Sequence, residues 1–453
     1  MVRRPWASAR RLPFAPWWRR RRKKINCYAG SKVLSSRVAA ATQSDLEPRR
    51  FFRRFVARRR PCVIGRTPTE LDGCARALWT SEAARALSVQ VEVRHGPADS
   101  FGKGRKVETT FGALLDGRSP DHYLTTQDVP DDQLVAAPLS ALDDTQLPRR
   151  LRLLGNLVPQ SINLWLGRSM APASSGLHHD FHDNLYVLLR GRKRFRLYSP
   201  ADAHRMYTHG RLRRVHPNGR INYVGHPATT PDGREAEDCA AEELHAAQRA
   251  QRRAERRLAR AEAAEAADEL ASQPDGALEA AEEALDCAMD RVVAARSARS
   301  RLRKRQQQRQ QQRQQQRQQQ SPAALKEPAF PPSFSRVASL ADVLASASSP
   351  AASSSSASSA SSSAAAAADP PYPLLEGARM AEVELHAGEM LYLPAGWFHE
   401  VSSDGGAAGG GDADEGLHCA INFWLHPPSH IDSFERPYGA AQAFWEKEFT
   451  AKG

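Results

Sequence analysis

Polar and apolar positions alternate along several short stretches bounded by turn residues, which predicts strands at residues 61–64, 89–93, 121–124 and 161–166. Helical spacing predicts helices over 46–58, 79–87 and 109–115. Residues 176–198 read as a strand, a short turn and a second strand, then a further strand-like run beyond Gly191. Strand patterns return at 380–385, 388–393 and 421–424. Between these two sets the character changes. Residues 240–270 and 277–305 are Ala/Glu/Arg-rich and strongly helix-forming, with a break at 272–276. Leu244, Gln251 and Leu258 recur at sevens, as do Leu278, Leu285 and Val292. That spacing predicts a helical hairpin whose arms pair as a short antiparallel coiled coil; the alternative is two solvated charged helices. The Gln/Arg tract at 306–320 and the Ala/Ser tract at 345–368 are expected to be disordered from their composition. Residues 328–337, between them, carry aromatic side chains that could dock on the core.

The chain has 453 residues, but with the low-complexity middle set aside about 270 remain, enough for one well-buried core. The expected organisation is a basic arm at 1–44, disordered or targeting; a first core segment at 45–233; an inserted helical hairpin with its Gln/Arg tract at 234–320; a low-complexity linker at 321–368; and a second core segment at 369–453. The formal net charge is +13, with much of the excess in the arm and the Arg/Gln segment. Residues 1–44 contain no acidic side chain and hold the run Arg19 to Lys24 beside Trp17 and Trp18. Such an arm serves nuclear import, nucleic-acid contact or organelle targeting, or is a plain solvated tail. The six cysteines are scattered without a Cys-x-x-Cys pair, which argues for a reducing compartment and against a zinc site. The expected location is the nucleus or cytoplasm, with an organelle as the alternative. No apolar run is long enough to span a membrane.

The candidate chemistry lies in two distant runs. His178 and Asp180, two apart on a strand, point to the same side. His399 ends the run Gly388-Glu389-Met390-Leu391-Tyr392-Leu393-Pro394-Ala395-Gly396-Trp397-Phe398-His399 and supplies a third ligand. Two imidazoles and a carboxylate on one face of an octahedron suit a non-haem Fe(II) site, leaving positions open for a co-substrate and dioxygen. In Arg192-Lys193-Arg194-Phe195 the two arginines share one face, which leaves Lys193 and Phe195 on the inner one. A buried lysine needs an anionic partner. His179 faces away from His178 on a regular strand, His182 and Asp183 fall on the turn, and His204, His209, His216 and His226 read as surface residues near the site mouth. The Gly-rich run 405–411 lacks the following helix and lysine of a phosphate loop.

Together with 48–64 and 161–167, the runs 175–200, 388–399 and 421–424 resemble the JmjC-domain (cupin-like) 2-oxoglutarate oxygenases, most closely the small protein-hydroxylase branch. The resemblance implies a mainly β double-stranded β-helix (jelly-roll) core with flanking helices, here interrupted by a long insertion. It implies His178, Asp180 and His399 as iron ligands and Lys193 as the partner of the distal carboxylate of 2-oxoglutarate. Ser175 and Tyr123 would reach the same carboxylate, with Asn184 and Asn422 close to co-substrate and metal. The implied cofactors are Fe(II), 2-oxoglutarate and dioxygen, and the implied partner is a protein or peptide substrate. Oligomeric state stays open. The alternatives are N-methyl-lysine demethylation, tRNA-base hydroxylation, with nucleic acid reached through the basic arm, and a non-catalytic cupin scaffold.

Overall fold

The structure, a computed structural model, describes residues 25–33, 35–94, 104–117, 121–130, 132–168, 173–266, 276–319, 330–337, 372–404 and 416–452. The N-terminal part contributes β1 (Ala39–Ala41), α1 (Pro48–Phe51), β2 (Cys62–Ile64), α2 (Cys74–Thr80), α3 (Glu82–Ala86), β3 (Ser88–Val93), β4 (Arg105–Thr110), α4 (Phe111–Leu115) and β5 (His122–Leu124). Next come β6 (Pro159–Arg168), β7 (Ala173–Ser174), β8 (His178–His179), β9 (Asp183–Arg190), β10 (Arg192–Tyr198), β11 (Leu212–Val215) and β12 (Ile221–Tyr223). The long helices α5 (Ala236–Ala266) and α6 (Ala277–Gln319) precede β13 (Met380–His386), β14 (Met390–Leu393), β15 (Phe398–Asp404), β16 (Leu417–Leu425) and α7 (Gln442–Lys452).

Two sheets face each other. The larger runs β1-β2-β14-β9-β16-β6-β5-β3-β4, and the smaller runs β13-β10-β15-β7 with β8 alongside β15. Alternation along each strand explains the layering. On β9, Leu185 and Val187 point outward into a core shared with Phe51, Phe55 and Leu153, whereas Tyr186 and Leu188 point between the sheets. On β16, Cys419, Ile421 and Phe423 join the outer core, and Ala420 faces inward. The inner layer is completed by Phe195, Leu197, Leu385, Leu391 and Trp397. Each such fully buried apolar side chain contributes about 1.5–3 kcal/mol. The chain crosses from one sheet to the other at Gly191, whose φ is +79°. A Cβ there would lie 2.8 Å from the Cβ of His418, so position and conformation both call for glycine. This is the expected jelly-roll core with flanking helices.

Several local expectations are revised. The 46–58 helix is a 3-10 turn, α1 and a π-helical turn in succession. The 79–87 helix is two helices, because Ser81 turns to an extended ψ of 113° and its hydroxyl caps α3 at Ala84 N, 3.1 Å away. The 105–110 strand lacked a strong apolar alternation and was not expected. Residues from 25 onward belong to the core rather than to a free arm: Cys27 N donates to Val215 O at 3.0 Å, and β1 pairs in parallel with β2. Residues 1–24, the linker on either side of 330–337 (320–329 and 338–371) and the 405–411 loop lie outside the described residues.

The hairpin forms, with a different seam. Ala240, Ala247 and Ala254 on α5 and Ala281, Ala288 and Ala295 on α6 are buried, each set at sevens, with Leu244 and Val292 between them. Leu258, Leu278 and Leu285 are only half-buried. Alanine permits close approach of the two helices and is favourable to helix itself. Helix α6 continues through the Gln/Arg tract to Gln319, so that tract is helical rather than disordered. No helix among the described residues is long and apolar enough to cross a membrane.

Candidate metal centre

The three proposed ligands converge at the open end of the two sheets. His178 comes from β8, Asp180 follows it in extended chain, and His399 stands on β15 directly opposite His178 in register. One ligand atom from each lies within 4.8 Å of the others, and His399 Nε2 is 3.8 Å from Asp180 Oδ2. Among the described residues this is the one such group of His, Cys, Asp or Glu.

The donor set is prepared for a cation. His178 Nδ1 donates to Gly176 O at 2.9 Å, and His399 Nδ1 donates to Trp397 O at 3.0 Å. A carbonyl can only accept, so Nδ1 carries a proton in each ring and Nε2 is the nitrogen left facing a metal. Burial, then the neighbouring His399, pushes His178 down to about 4, so its imidazole is neutral at ordinary pH. Burial opposes the charge of Asp180, but His399 and His178 hold its carboxyl below the usual range. A chain of amides fixes that carboxylate: Trp165 Nε1 donates to Asn422 Oδ1 at 2.9 Å, Asn422 Nδ2 to Asn184 Oδ1 at 3.2 Å, and Asn184 Nδ2 to Asp180 Oδ2 at 3.4 Å. Two imidazoles that turn Nε2 toward the site and one carboxylate fit Fe(II).

A cavity of about 210 Å³ opens beside these atoms, lined by Tyr123, Ser175, Asn184 and Lys193, and also by Arg94 and Phe334. Lys193 is 1 % exposed, and its ammonium donates to Ser403 Oγ and to His418 Nδ1, the latter at 3.1 Å. Both acceptors are neutral, since burial, then Lys193 and Arg94, keeps His418 well below the usual imidazole range. Burial, then the charge of Arg94, brings Lys193 down to about 7. Tyr123 lies under Arg94, whose guanidinium carbon is 3.9 Å from the ring centre, and 5.8 Å from the lysine nitrogen.

Ser175 lines the cavity, but its hydroxyl donates to Gly176 O at 3.0 Å and accepts from Val401 N at 2.9 Å. Its proton is therefore already committed, and Ser403 is the hydroxyl that meets Lys193. Asn422 acts through Asn184 rather than from the cavity wall. Sequence reasoning missed Arg94, Ser403 and His418. Ser403 stood two and four residues beyond Val401 and His399 on the same strand face, which is the one signal that could have found it.

The other nearby candidates separate mostly as expected, with His216 and Asp183 as exceptions. His179 turns away, and its Nε2 is 2.7 Å from Tyr223 OH. His204 and His226 are exposed, but His216 is buried and bonds to Thr229 O at 3.1 Å. Asp183 is not a turn residue: it begins β9, fully buried, and pairs with the equally buried Arg59.

A family profile described as a cupin-like domain matches residues 48–431. The chain belongs to the cupin-like JmjC-domain family. Members of this family are usually Fe(II)- and 2-oxoglutarate-dependent oxygenases. The chain is 29% identical over 423 residues to "JmjC domain-containing protein 4" of Schizosaccharomyces pombe, covering 87% of this chain and 86% of that protein. It is 29% identical over 185 residues to "Lysine-specific demethylase JMJ32" of Arabidopsis thaliana, 36% of this chain and 52% of that protein. A 68-residue stretch is 38% identical to "tRNA wybutosine-synthesizing protein 5" of Mus musculus, covering 15% and 18% respectively.

The state of Lys193 carries a pH prediction. A carboxylate bound against the amine favours its charged form, so binding takes up a proton wherever the ligand-free amine is neutral. The groups facing it are Arg94, Tyr123, Ser403, His418 and Cys419. With the free amine titrating at about 7, affinity for 2-oxoglutarate is expected to hold at lower pH. Above that point it should fall by up to about tenfold per pH unit. Calorimetric titration of the Mn(II)-loaded protein between about pH 6 and pH 9 measures this; a flat profile would place the carboxylate elsewhere.

Proposed function

We propose that this chain is an Fe(II)- and 2-oxoglutarate-dependent dioxygenase that hydroxylates an amino-acid side chain of a protein substrate. The observation that carries the reading is the convergence of His178, Asp180 and His399 on one cavity whose wall also holds the buried Lys193. Fe(II) at such a site would let dioxygen, the oxidant, react with 2-oxoglutarate, coupling its decarboxylation to oxidation of the substrate. Overall, 2-oxoglutarate, dioxygen and R–H become succinate, CO2 and R–OH.

The residues of the chain do the rest. His178, Asp180 and His399 hold the cation, with their orientation set by the carbonyls of Gly176 and Trp397 and by Asn184. Lys193, with Tyr123 and Arg94 beside it, receives the distal carboxylate. The aromatic walls of Tyr186, Trp165, Phe181 and Trp424 exclude water and orient the substrate side chain. No side chain is required to act as general base.

A second reading is supported by the likeness to a protein named lysine-specific demethylase: hydroxylation of an N-methyl group, which then leaves as formaldehyde. The purified full chain, incubated with Fe(II), 2-oxoglutarate and a peptide digest of cell protein, should form succinate, and His178→Ala should not. Mass spectrometry separates the readings by the gain of one oxygen against the loss of one methylene. Succinate formation equal in wild type and His178→Ala would contradict both.

A further inference from the structure

The wall of the cavity contains two residues, Ser333 and Phe334, that lie beyond α6 and before β13, far in sequence from the rest of the wall. They belong to a short strap, 331–337, set between the end of α6 and β13 and carried by the insertion. The strap is zipped between two core segments. Ser335 N donates to Leu177 O at 2.8 Å and His179 N to Ser333 O at 3.3 Å on one side. On the other, His209 N donates to Phe334 O at 2.8 Å, Gly210 N to Pro332 O at 3.0 Å, and Arg336 N to Tyr207 O at 2.9 Å. Val337 is buried in the apolar cluster beneath the site, together with Leu177 and Phe398, and Phe330 stacks on His209 with ring centres 4.3 Å apart.

The seating of Phe334 brings its ring onto a metal ligand. It stacks on the His178 imidazole, with centres 4.8 Å apart and planes 13° from parallel, while the His399 ring packs against His178 with centres 4.3 Å apart. Hydrogen bonding to Gly176 O fixes one in-plane direction of the imidazole, but it leaves rotation of the ring about that bond open. A parallel ring against its face removes that freedom.

Resting on the metal-site reading above, we propose that Phe334 is a positioning residue for His178, and that docking of the 331–337 strap and binding of the cation stabilise each other. If the strap raises metal affinity by some factor, the metal must raise strap docking by the same factor. The insertion is then part of the metal site through these seven residues, whatever its hairpin does elsewhere.

The test needs no substrate and no turnover. Co(II) alone is titrated into the full wild-type chain and the Phe334→Ala, Phe334→Tyr and His399→Ala variants, with thermal melting recorded in parallel. Wild type and Phe334→Tyr should bind alike, Phe334→Ala about tenfold more weakly, in the range typical of lost outer partners of a ligand. Amide hydrogen exchange across 330–337 should slow on addition of Co(II) to wild type and much less in Phe334→Ala. Wild-type protein that takes no Co(II) overturns the metal site itself. Co(II) affinity equal in wild type and Phe334→Ala, with only the melting temperature lowered, overturns the positioning role alone, as does strap exchange that ignores the metal.

Discussion

Replacing Asp180 by alanine is expected to abolish Fe(II) binding and succinate formation while leaving the fold intact. The loss should exceed by far the roughly 10–100-fold cost of removing a partner outside the coordination sphere, since Asp180 would be the one anionic ligand to a dication. The fold should tolerate the change because the two imidazoles that remain keep their Nδ1 hydrogen bonds to Gly176 O and Trp397 O. Asn184→Ala, one bond further out, should weaken metal binding only by about tenfold. Metal content and melting curves on the same preparations separate these outcomes; iron retained at wild-type affinity by Asp180→Ala would remove Asp180 from the ligand set.

Arg59→Ala is expected to destabilise the whole core. Arg59 and Asp183 are both fully buried and bridge the N-terminal helices to the start of β9. Asp183 also accepts from Tyr392 OH at 2.6 Å and Ala395 N at 2.9 Å, and Arg59 Nε donates to Asn218 O at 2.8 Å. Deleting one ion strands the other without solvent, which costs about 3–5 kcal/mol. For a core of this size that corresponds to a fall in melting temperature on the order of 10 °C. Arg59→Met with Asp183→Leu should recover part of that loss, because no lone charge is left behind. Urea unfolding of the two variants beside wild type measures it; an Arg59→Ala protein as stable as wild type would show that the pair is solvated. Asp183 lies three residues after Asp180, so the pair also anchors the loop that presents the metal carboxylate.

The site was legible where short-range pattern dictates direction. His178, Asp180 and Lys193 could be placed on inner faces from strand alternation, and His399 from the strand-like run that ends in it. Many of the strands followed from the same alternation, whereas their arrangement as a two-sheet core was what the JmjC resemblance implied. The roles of Arg94 and Phe334 in the cavity wall and of His418 beside Lys193 were not legible, although docking of 328–337 was expected, because their placement depends on contacts distant in sequence. The Ala seam of α5 and α6 was hidden for another reason: in an Ala-rich helix, alanine marks no particular face, so the leucine heptads drew attention to the wrong register. Asp183 read as a turn residue because its partner, Arg59, is 124 positions away. The Gln/Arg tract read as disordered on composition alone, although glutamine and arginine are good helix formers that readily extend a helix already nucleated upstream.

On the proposed function, His178, Asp180 and His399 would hold one cation with room beside it for a 2-oxo acid. Anaerobic titration of Fe(II) into the full chain with 2-oxoglutarate present, followed by visible absorption, tests it most directly. One equivalent of Fe(II) should produce a charge-transfer band that needs 2-oxoglutarate, is absent in Asp180→Ala and His399→Ala, and demands more 2-oxoglutarate in Lys193→Ala. A band of undiminished strength in the ligand variants, or none in the wild type, would contradict the account.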